Sequence, residues 1–346
     1  MNILYGVQAT GNGHISRSRE IVGSLKEKGH NIFVILSGRD PALLWDIEEL
    51  KPYKAYKGLT FSTNKGRIKY FETAINLNFK QFFSDIETFD ASEYDIAITD
   101  FEPLTSRIAK RNKIPSIGIG HQYAFFNKIP TEGANPAANF IIRKFAPVDF
   151  PIGLHWHHFN QPILPPVVPM FNENHNLSTI KNKILVYLPF EDKEDIIRLL
   201  TPFKNYDFFV YHKFEKPSLK GNIHLCPFSR KGFLDDLKEC SGVVTNAGFE
   251  LVSEALTIGK KILIKPLSGQ MEQLSNARAI RMLNLGFVMK KLDISILDDF
   301  LKKPQSSPVN YPYVAEIIAE AISNGDWINM EKIIRDSWSN VNILTD

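Results

Sequence analysis

From its third residue the chain alternates short apolar runs with longer stretches of helical periodicity, and few folds accept that rhythm. In the first half the apolar runs fall at residues 3–7, 32–36, 94–99 and 116–119. They are continuous rather than alternating apolar and polar, as expected of strands buried on both faces of a parallel sheet. Between them, residues 15–28 carry Ile21, Val22 and Leu25 at helical spacing and stop at Gly29, a residue suited to the left-handed position after a helix. Residues 103–110 predict a second helix, with Pro103 where a missing N–H costs little.

The rhythm breaks once, at "NQPILPPVVPM" (160–170), whose four prolines and polar continuation read as an interdomain linker. It resumes with strands expected at 183–188, 207–211, 222–226, 242–245 and 261–264, separated by helical patterns at 193–200, 232–238, 249–257 and 271–283. The reading is α/β, with two doubly wound parallel-sheet domains: residues 1–160, a linker over 161–182, residues 183–312, and helices over 313–346 closing the chain. A length of 346 residues at 44% hydrophobic composition can fill two such cores.

With 41 basic and 38 acidic residues, the net charge of +3 gives no reason to expect a nucleic-acid partner. Cys226 and Cys240 are too few for a disulfide framework, which points to a reducing compartment. The N-terminus lacks a signal-peptide pattern and no apolar run reaches membrane-spanning length, so the expected location is cytoplasmic.

Two stretches carry chemistry. "GNGHISRSRE" (11–20) follows the first strand, but Ser16 stands where a dinucleotide loop needs its third glycine, and His14 has no role in such a loop. "VVTNAGFELVSEAL" (243–256) turns from a buried strand through Asn246, Ala247 and Gly248 into a helix, whose unpaired N–H groups and dipole attract phosphate. Glu254, near its second turn, is placed to meet ribose hydroxyls; an ordinary helix start with a solvated glutamate is the other reading. After the next strand, the loop ending at Gln270 and the helix start at Glu272 and Gln273 offer partners for sugar hydroxyls.

These blocks, with "PFSRKGFLDDLKECSG" before them and "PLSGQMEQLSNA" after, resemble the GT-B glycosyltransferases. They are most similar to the branch containing the N-acetylglucosaminyltransferase of peptidoglycan synthesis and its relatives in surface-polysaccharide and teichoic-acid-related synthesis. The resemblance implies two Rossmann-like domains facing a cleft, with C-terminal helices crossing back to the first domain. It implies uracil near Phe228 and Ser229, the diphosphate at Asn246, Ala247 and Gly248, ribose on Glu254, and the donor sugar on Gln270, Glu272 and Gln273. One departure stands out: relatives carry a glycine-rich loop after the first strand of the second domain, whereas this chain reads "LPFEDK", whose Glu191 and Asp192 would repel a phosphate.

The same resemblance gives the acceptor to the first domain and makes His14 the base that deprotonates an acceptor hydroxyl. Asp100 resembles the aspartate that pairs with the catalytic histidine in plant enzymes of this fold; it equally suits a cap for the helix near Pro103. Gly11, Asn12, Gly13, Arg17, Glu102, His121 and Gln122 complete the expected acceptor side. "HWHHF" (155–159) lacks a carboxylate or cysteine at ligand spacing, so no metal is expected, and no cofactor beyond a UDP-sugar substrate. "NFKQFF" (78–83) and "FIIRKFAP" (140–147) mix aromatic and basic residues, which fits either core helices with a basic edge or a peripheral membrane contact. The expected activity is inverting transfer from a UDP-sugar, such as UDP-N-acetylglucosamine, to a hydroxyl of a glycan, polyol-phosphate or lipid-linked acceptor in cell-surface polysaccharide synthesis. The alternatives are a UDP-N-acetylglucosamine 2-epimerase and a non-catalytic nucleotide-sugar sensor or scaffold.

Overall fold

The computed structural model describes residues 1–40, 47–59, 63–64, 67–68, 78–171 and 179–343. Residues 172–178 of the expected linker, and 344–346, lie outside the described residues. The first sheet consists of β1 (Asn2–Gln8), β2 (Asn31–Ser37), β3 (Tyr53–Tyr56), β6 (Ile96–Asp100), β7 (Ser116–Gly120), β8 (Phe150–Leu154) and β9 (Ile163–Leu164). Its order is β3-β2-β1-β6-β7-β8-β9 and every pairing is parallel. A short ribbon, β4 (Thr63–Asn64) with β5 (Arg67–Ile68), stands apart.

The second sheet repeats the plan with β10 (Ile180–Tyr187), β11 (Asp207–Tyr211), β12 (Ser218–Lys220), β13 (Ile223–Cys226), β14 (Cys240–Asn246), β15 (Lys261–Lys265) and β16 (Phe287–Val288). Its order is β12-β13-β11-β10-β14-β15-β16, with only the edge strand β12 antiparallel to its neighbour. In both sheets the order reverses beside the first strand, and crevices at such reversals, outside the strands' carboxyl ends, receive ligands.

The helices are α1 (Asn12–Glu27), α2 (Phe79–Thr88), α3 (Pro103–Asn112), α4 (His121–Ala124), α5 (Pro136–Lys144), α6 (Lys193–Leu200), α7 (Arg230–Glu239), α8 (Phe249–Thr257), α9 (Met271–Met282), α10 (Ile294–Lys302), α11 (Val314–Asn324) and α12 (Glu331–Ser337). Helix α1 begins one turn earlier than its apolar spacing predicts. Its first turn, Asn12 to His14, faces the other domain, so the periodic burial starts only at Ile15. Gly29, at φ +82°, follows its end.

Two other expectations change. Ile163 and Leu164, within the stretch read as linker, form a parallel strand on β8, because both side chains are fully buried. Glu102, expected on the acceptor side, is fully buried and caps α3, accepting from the N–H groups of Leu104 at 2.7 Å and Thr105 at 2.6 Å and from the Ser37 hydroxyl at 2.6 Å. The cap position offered to Asp100 is therefore filled by Glu102, which leaves Asp100 for other partners.

The C-terminal helices lie on the first domain. Tyr313, just before α11, bonds Glu20 and Ser24 of α1, and Lys28 pairs with Glu320 at 3.0 Å. The Trp338 indole, just after α12, donates to the Ile163 carbonyl at 2.7 Å.

Between the two sheets runs an aromatic seam. His121 stacks on Phe249 with centroids 4.1 Å apart, Trp156 stacks on Phe249 at 5.1 Å, and the Trp156 indole N–H donates to Ser253 Oγ at 2.9 Å. Trp156 is fully buried, and its ring joins residues of both domains. Replacing it by alanine removes a large apolar surface and one hydrogen bond to Ser253, whose hydroxyl keeps only the Phe249 carbonyl. Trp156→Ala is expected to lower the stability of the folded chain by about 3–5 kcal/mol, read as a reduced denaturation midpoint in urea.

Candidate active site

His14 sits in the first turn of α1 and Asp100 ends β6, the strand beside β1. The His14 Nδ1 lies 2.7 Å from Asp100 Oδ1. A carboxylate acceptor there requires the proton on Nδ1, and in the neutral ring that tautomer puts the lone pair on Nε2. Asp100 is fully buried, and it also accepts from Arg17 Nε at 3.0 Å, Arg17 Nη2 at 2.5 Å and the Ser18 hydroxyl at 3.1 Å. Burial is the strongest single influence and pushes its carboxyl upward, but the charges and hydrogen bonds of Arg17 and His14 together hold it below the ordinary value. Asp100 is thus an anion that fixes the imidazole's orientation.

Arg17, expected on the acceptor side, has no free guanidinium to offer a ligand there. It is buried, and beyond Asp100 its guanidinium forms an ion pair with Glu250 in the first turn of α8. Gly13 has a packing role at the same junction: a Cβ there would stand 2.7 Å from Glu250 Cγ. Gly11 has open space instead. His121, expected on the acceptor side, is fully buried in the seam, with Nδ1 on the Leu154 carbonyl at 2.9 Å and Nε2 on Asn276 Oδ1 at 2.7 Å. Burial pushes its imidazole down from its ordinary value, and it has no free nitrogen for a ligand.

A cavity of about 230 Å³ opens between α1 and the second domain; Asn12, Ser16, Tyr187, Phe228, Ser229 and Glu254 are part of its wall. Phe228 and Ser229, expected near a base, are therefore in one space with Glu254, expected at a ribose. Ser229 also caps α7 through Gly232 N. Tyr187 packs edge-on against Phe228 and Phe233, at 6.2 and 5.3 Å; the sequence reading missed it, although it closes the strand next to β14. Glu254 is not on a solvated face: it is buried and accepts from the Ser16 hydroxyl across the domain boundary at 3.0 Å.

At the turn into α8, the Asn246 amide donates to Glu191 at 3.3 Å and to the Lys265 carbonyl at 3.1 Å, leaving its own Oδ1 buried without a partner among the described residues. Asn246 thus presents an acceptor, which suits a hydroxyl better than a phosphate oxygen. Ala247 is buried and Gly248 caps α8 without a side-chain bond, in open space. The acidic "LPFEDK" loop is neutralised from within: Glu191 pairs with Lys265 at 2.7 Å, and Asp192 turns back to cap α6.

In the loop before α9, Gln270 Oε1 is buried without a partner among the described residues. Both Glu272 oxygens lie 3.2 Å from Gln122 Nε2, so a first-domain residue expected on the acceptor side meets one expected on the donor sugar. Gln273 is buried and its carbonyl oxygen accepts from Leu267 N at 2.9 Å, so it shapes this loop. The "HWHHF" cluster supplies His155 and Trp156 to the aromatic seam. Among the described residues, no group of three or more His, Cys, Asp or Glu side chains is placed to hold a metal.

Burial pushes the Glu254 carboxyl up to about 7 from 4.5, only partly opposed by the Ser16 hydrogen bond. As pH rises from 4.5 toward 7, the unfolded chain gives up this proton before the folded one, so stability is lost across that window and stays lost above it. Glu254→Gln has no such proton to lose. Its stability relative to the wild type should rise by on the order of 3 kcal/mol between acid and mildly alkaline pH, measured as paired denaturation curves.

No curated protein sequence matches the chain. Solved structures of the same shape include the glycosyltransferase SnogD from Streptomyces nogalater, at 15% identity and TM-score 0.54 over 95% of this chain and 96% of that one. The Arabidopsis thaliana protein UGT89C1, complexed with UDP, gives 10% identity and TM-score 0.59 over 97% and 99%. A Listeria monocytogenes protein assigned as a UDP-N-acetylglucosamine 2-epimerase gives 12% and 0.61 over 94% and 96%. At such identities the likeness establishes the two-domain GT-B fold and nothing finer. A family model described as glycosyl transferase family 1 matches residues 1–304. The chain belongs to that family and is a glycosyltransferase of GT-B fold.

Proposed function

We propose that the protein transfers a sugar, with inversion, from a UDP-sugar to a hydroxyl of a glycan, polyol-phosphate or lipid-linked acceptor in cell-surface polysaccharide synthesis. The observation that carries this reading is the 2.7 Å His14–Asp100 hydrogen bond at the boundary between the domains. In the proposed step, His14 Nε2 takes the acceptor hydroxyl's proton as that oxygen bonds to the anomeric carbon. The bond from that carbon to the diphosphate breaks, and UDP leaves with the electron pair. Phe228 and the aromatic wall receive the base, Glu254 the ribose, the start of α8 the diphosphate, and Glu272 with Gln270 the sugar. The likeness of the 243–256 and 266–277 blocks to the peptidoglycan N-acetylglucosaminyltransferase branch favours UDP-N-acetylglucosamine as donor. A nucleotide-sugar donor also favours a cytoplasmic site of reaction.

A lipid-linked acceptor would bring the first domain to a membrane surface. Among the described residues, no helix is long and apolar enough to cross one. Exposed Phe79 and Phe83 on α2 and Phe140 on α5, with Lys80, Arg143 and Lys144 on the same two helices, suit peripheral contact with anionic lipid.

The reading is tested with a panel of UDP-sugars, following UDP release with and without added acceptors; no turnover and no binding of any nucleotide sugar would refute it. His14→Ala should lower kcat by about a hundredfold or more while UDP affinity stays near that of the wild type. Epimerised sugar formed without acceptor would instead identify an epimerase. Co-sedimentation with anionic vesicles should fall on replacing Phe79, Phe83 and Phe140 by serine, and equal sedimentation of the two proteins would remove the membrane from the scheme.

A further inference from the structure

Arg39 follows β2 and lies beside the first loop: its Nη1 donates to Asn12 Oδ1 at 3.0 Å and its Nη2 to the Thr10 carbonyl at 3.2 Å. Both partners are neutral, and among the described residues no carboxylate pairs with it. The guanidinium is half-buried, and burial draws it below its ordinary proton affinity, with only Tyr187 acting the other way. Taking a charge out of water without a counter-ion is unfavourable. An arginine held this way by two hydrogen bonds is pre-positioned for an anion the protein itself does not supply.

Its surroundings identify the anion. Asn12, which it bonds, is part of the cavity wall together with Tyr187. Tyr187 pairs in register with Thr245, one residue before Asn246. Gly13 touches Glu250 in the first turn of α8. Arg39 thus reaches, through Asn12, the edge of the cavity beside Tyr187, and the neighbouring Gly13 faces the first turn of α8, whose N-cap Gly248 offers no side chain of its own. Lys265, which ends the neighbouring β15, is committed to Glu191.

We propose that Arg39 is the first domain's contribution to the diphosphate site, giving charge-assisted hydrogen bonds to a nucleoside diphosphate seated at the start of α8. This rests on the nucleotide-sugar reading above. It divides the site between the domains: one supplies the helix terminus and the base pocket, the other the neutralising charge.

Calorimetric titration of wild type, Arg39→Ala and Arg39→Lys with UDP and with uridine tests the assignment. Arg39→Ala should weaken UDP by about tenfold or more, as for loss of a charge-assisted contact, and leave uridine within about twofold; Arg39→Lys should fall between. Unchanged circular dichroism and thermal midpoint confirm that the loop variant is folded. Equal weakening of UDP and uridine would make Arg39 a brace for the Asn12 loop and overturn the proposal. Unchanged UDP affinity with a raised KM for acceptor would assign the charge to an acceptor phosphate, and overturn it as well. If the wild type itself binds no nucleoside diphosphate, the nucleotide-sugar reading falls first and this inference with it.

Discussion

The polar side of the interdomain cleft is organised around one buried carboxylate. Asp100 has no contact with solvent, so its charge is tolerated only because Arg17, Ser18 and His14 satisfy both oxygens. That requirement holds Arg17 in place, and Arg17 in turn holds Glu250 of the second domain. The carboxylate that orients the candidate base therefore also positions the first turn of the helix at which a diphosphate would sit. Removing it would leave a buried arginine with a single counter-ion and an imidazole with no fixed tautomer.

Behind this network the aromatic seam sets the distance between the sheets. Close-packed rings do not compress, so the stack of Trp156, Phe249 and His121 fixes the separation across which Ser16 reaches Glu254 and Gln122 reaches Glu272. His121 shows the division of roles clearly. It stands at the carboxyl end of β7, where a ligand contact is expected, yet both nitrogens serve the seam.

How much of this was legible in the sequence depends on the physical signal each part leaves. Buried parallel strands leave continuous apolar runs, so the two sheets could be read directly, whereas the GT-B assignment came from the resemblance of the motif blocks. The layout of residues 243–256 was legible because a strand, a small-residue turn and a helix follow one another locally. Contacts between the domains leave no periodic trace. Arg17 and Glu254 look like solvated helix residues until the other domain covers them, and Glu102 looks like a cleft residue until its carboxylate is found on the α3 backbone. Ile163 and Leu164 were hidden among prolines, whose turn signal outweighs a strand of two residues. Arg39 could have been noticed by position, since it follows the second strand by two residues, but only its environment shows that no carboxylate among the described residues answers its charge.

The acidic loop after β10 illustrates why charge has to be followed to its partners. Read alone, Glu191 and Asp192 argue against a phosphate. In the fold, Asp192 is spent on the first turn of α6, and Glu191 is matched by Lys265 while also holding the Asn246 amide. The charge of Glu191 is thereby matched by a cation, and that of Asp192 is set against a helix N-terminus. A glycine-rich loop would instead turn its backbone N–H groups toward a ligand. A leaving diphosphate gains negative charge as its bond to the sugar breaks, and that charge must be met by groups already in place. The start of α8 would meet part of that charge from the second domain, and Arg39, held against Asn12, would add to it from across the cleft.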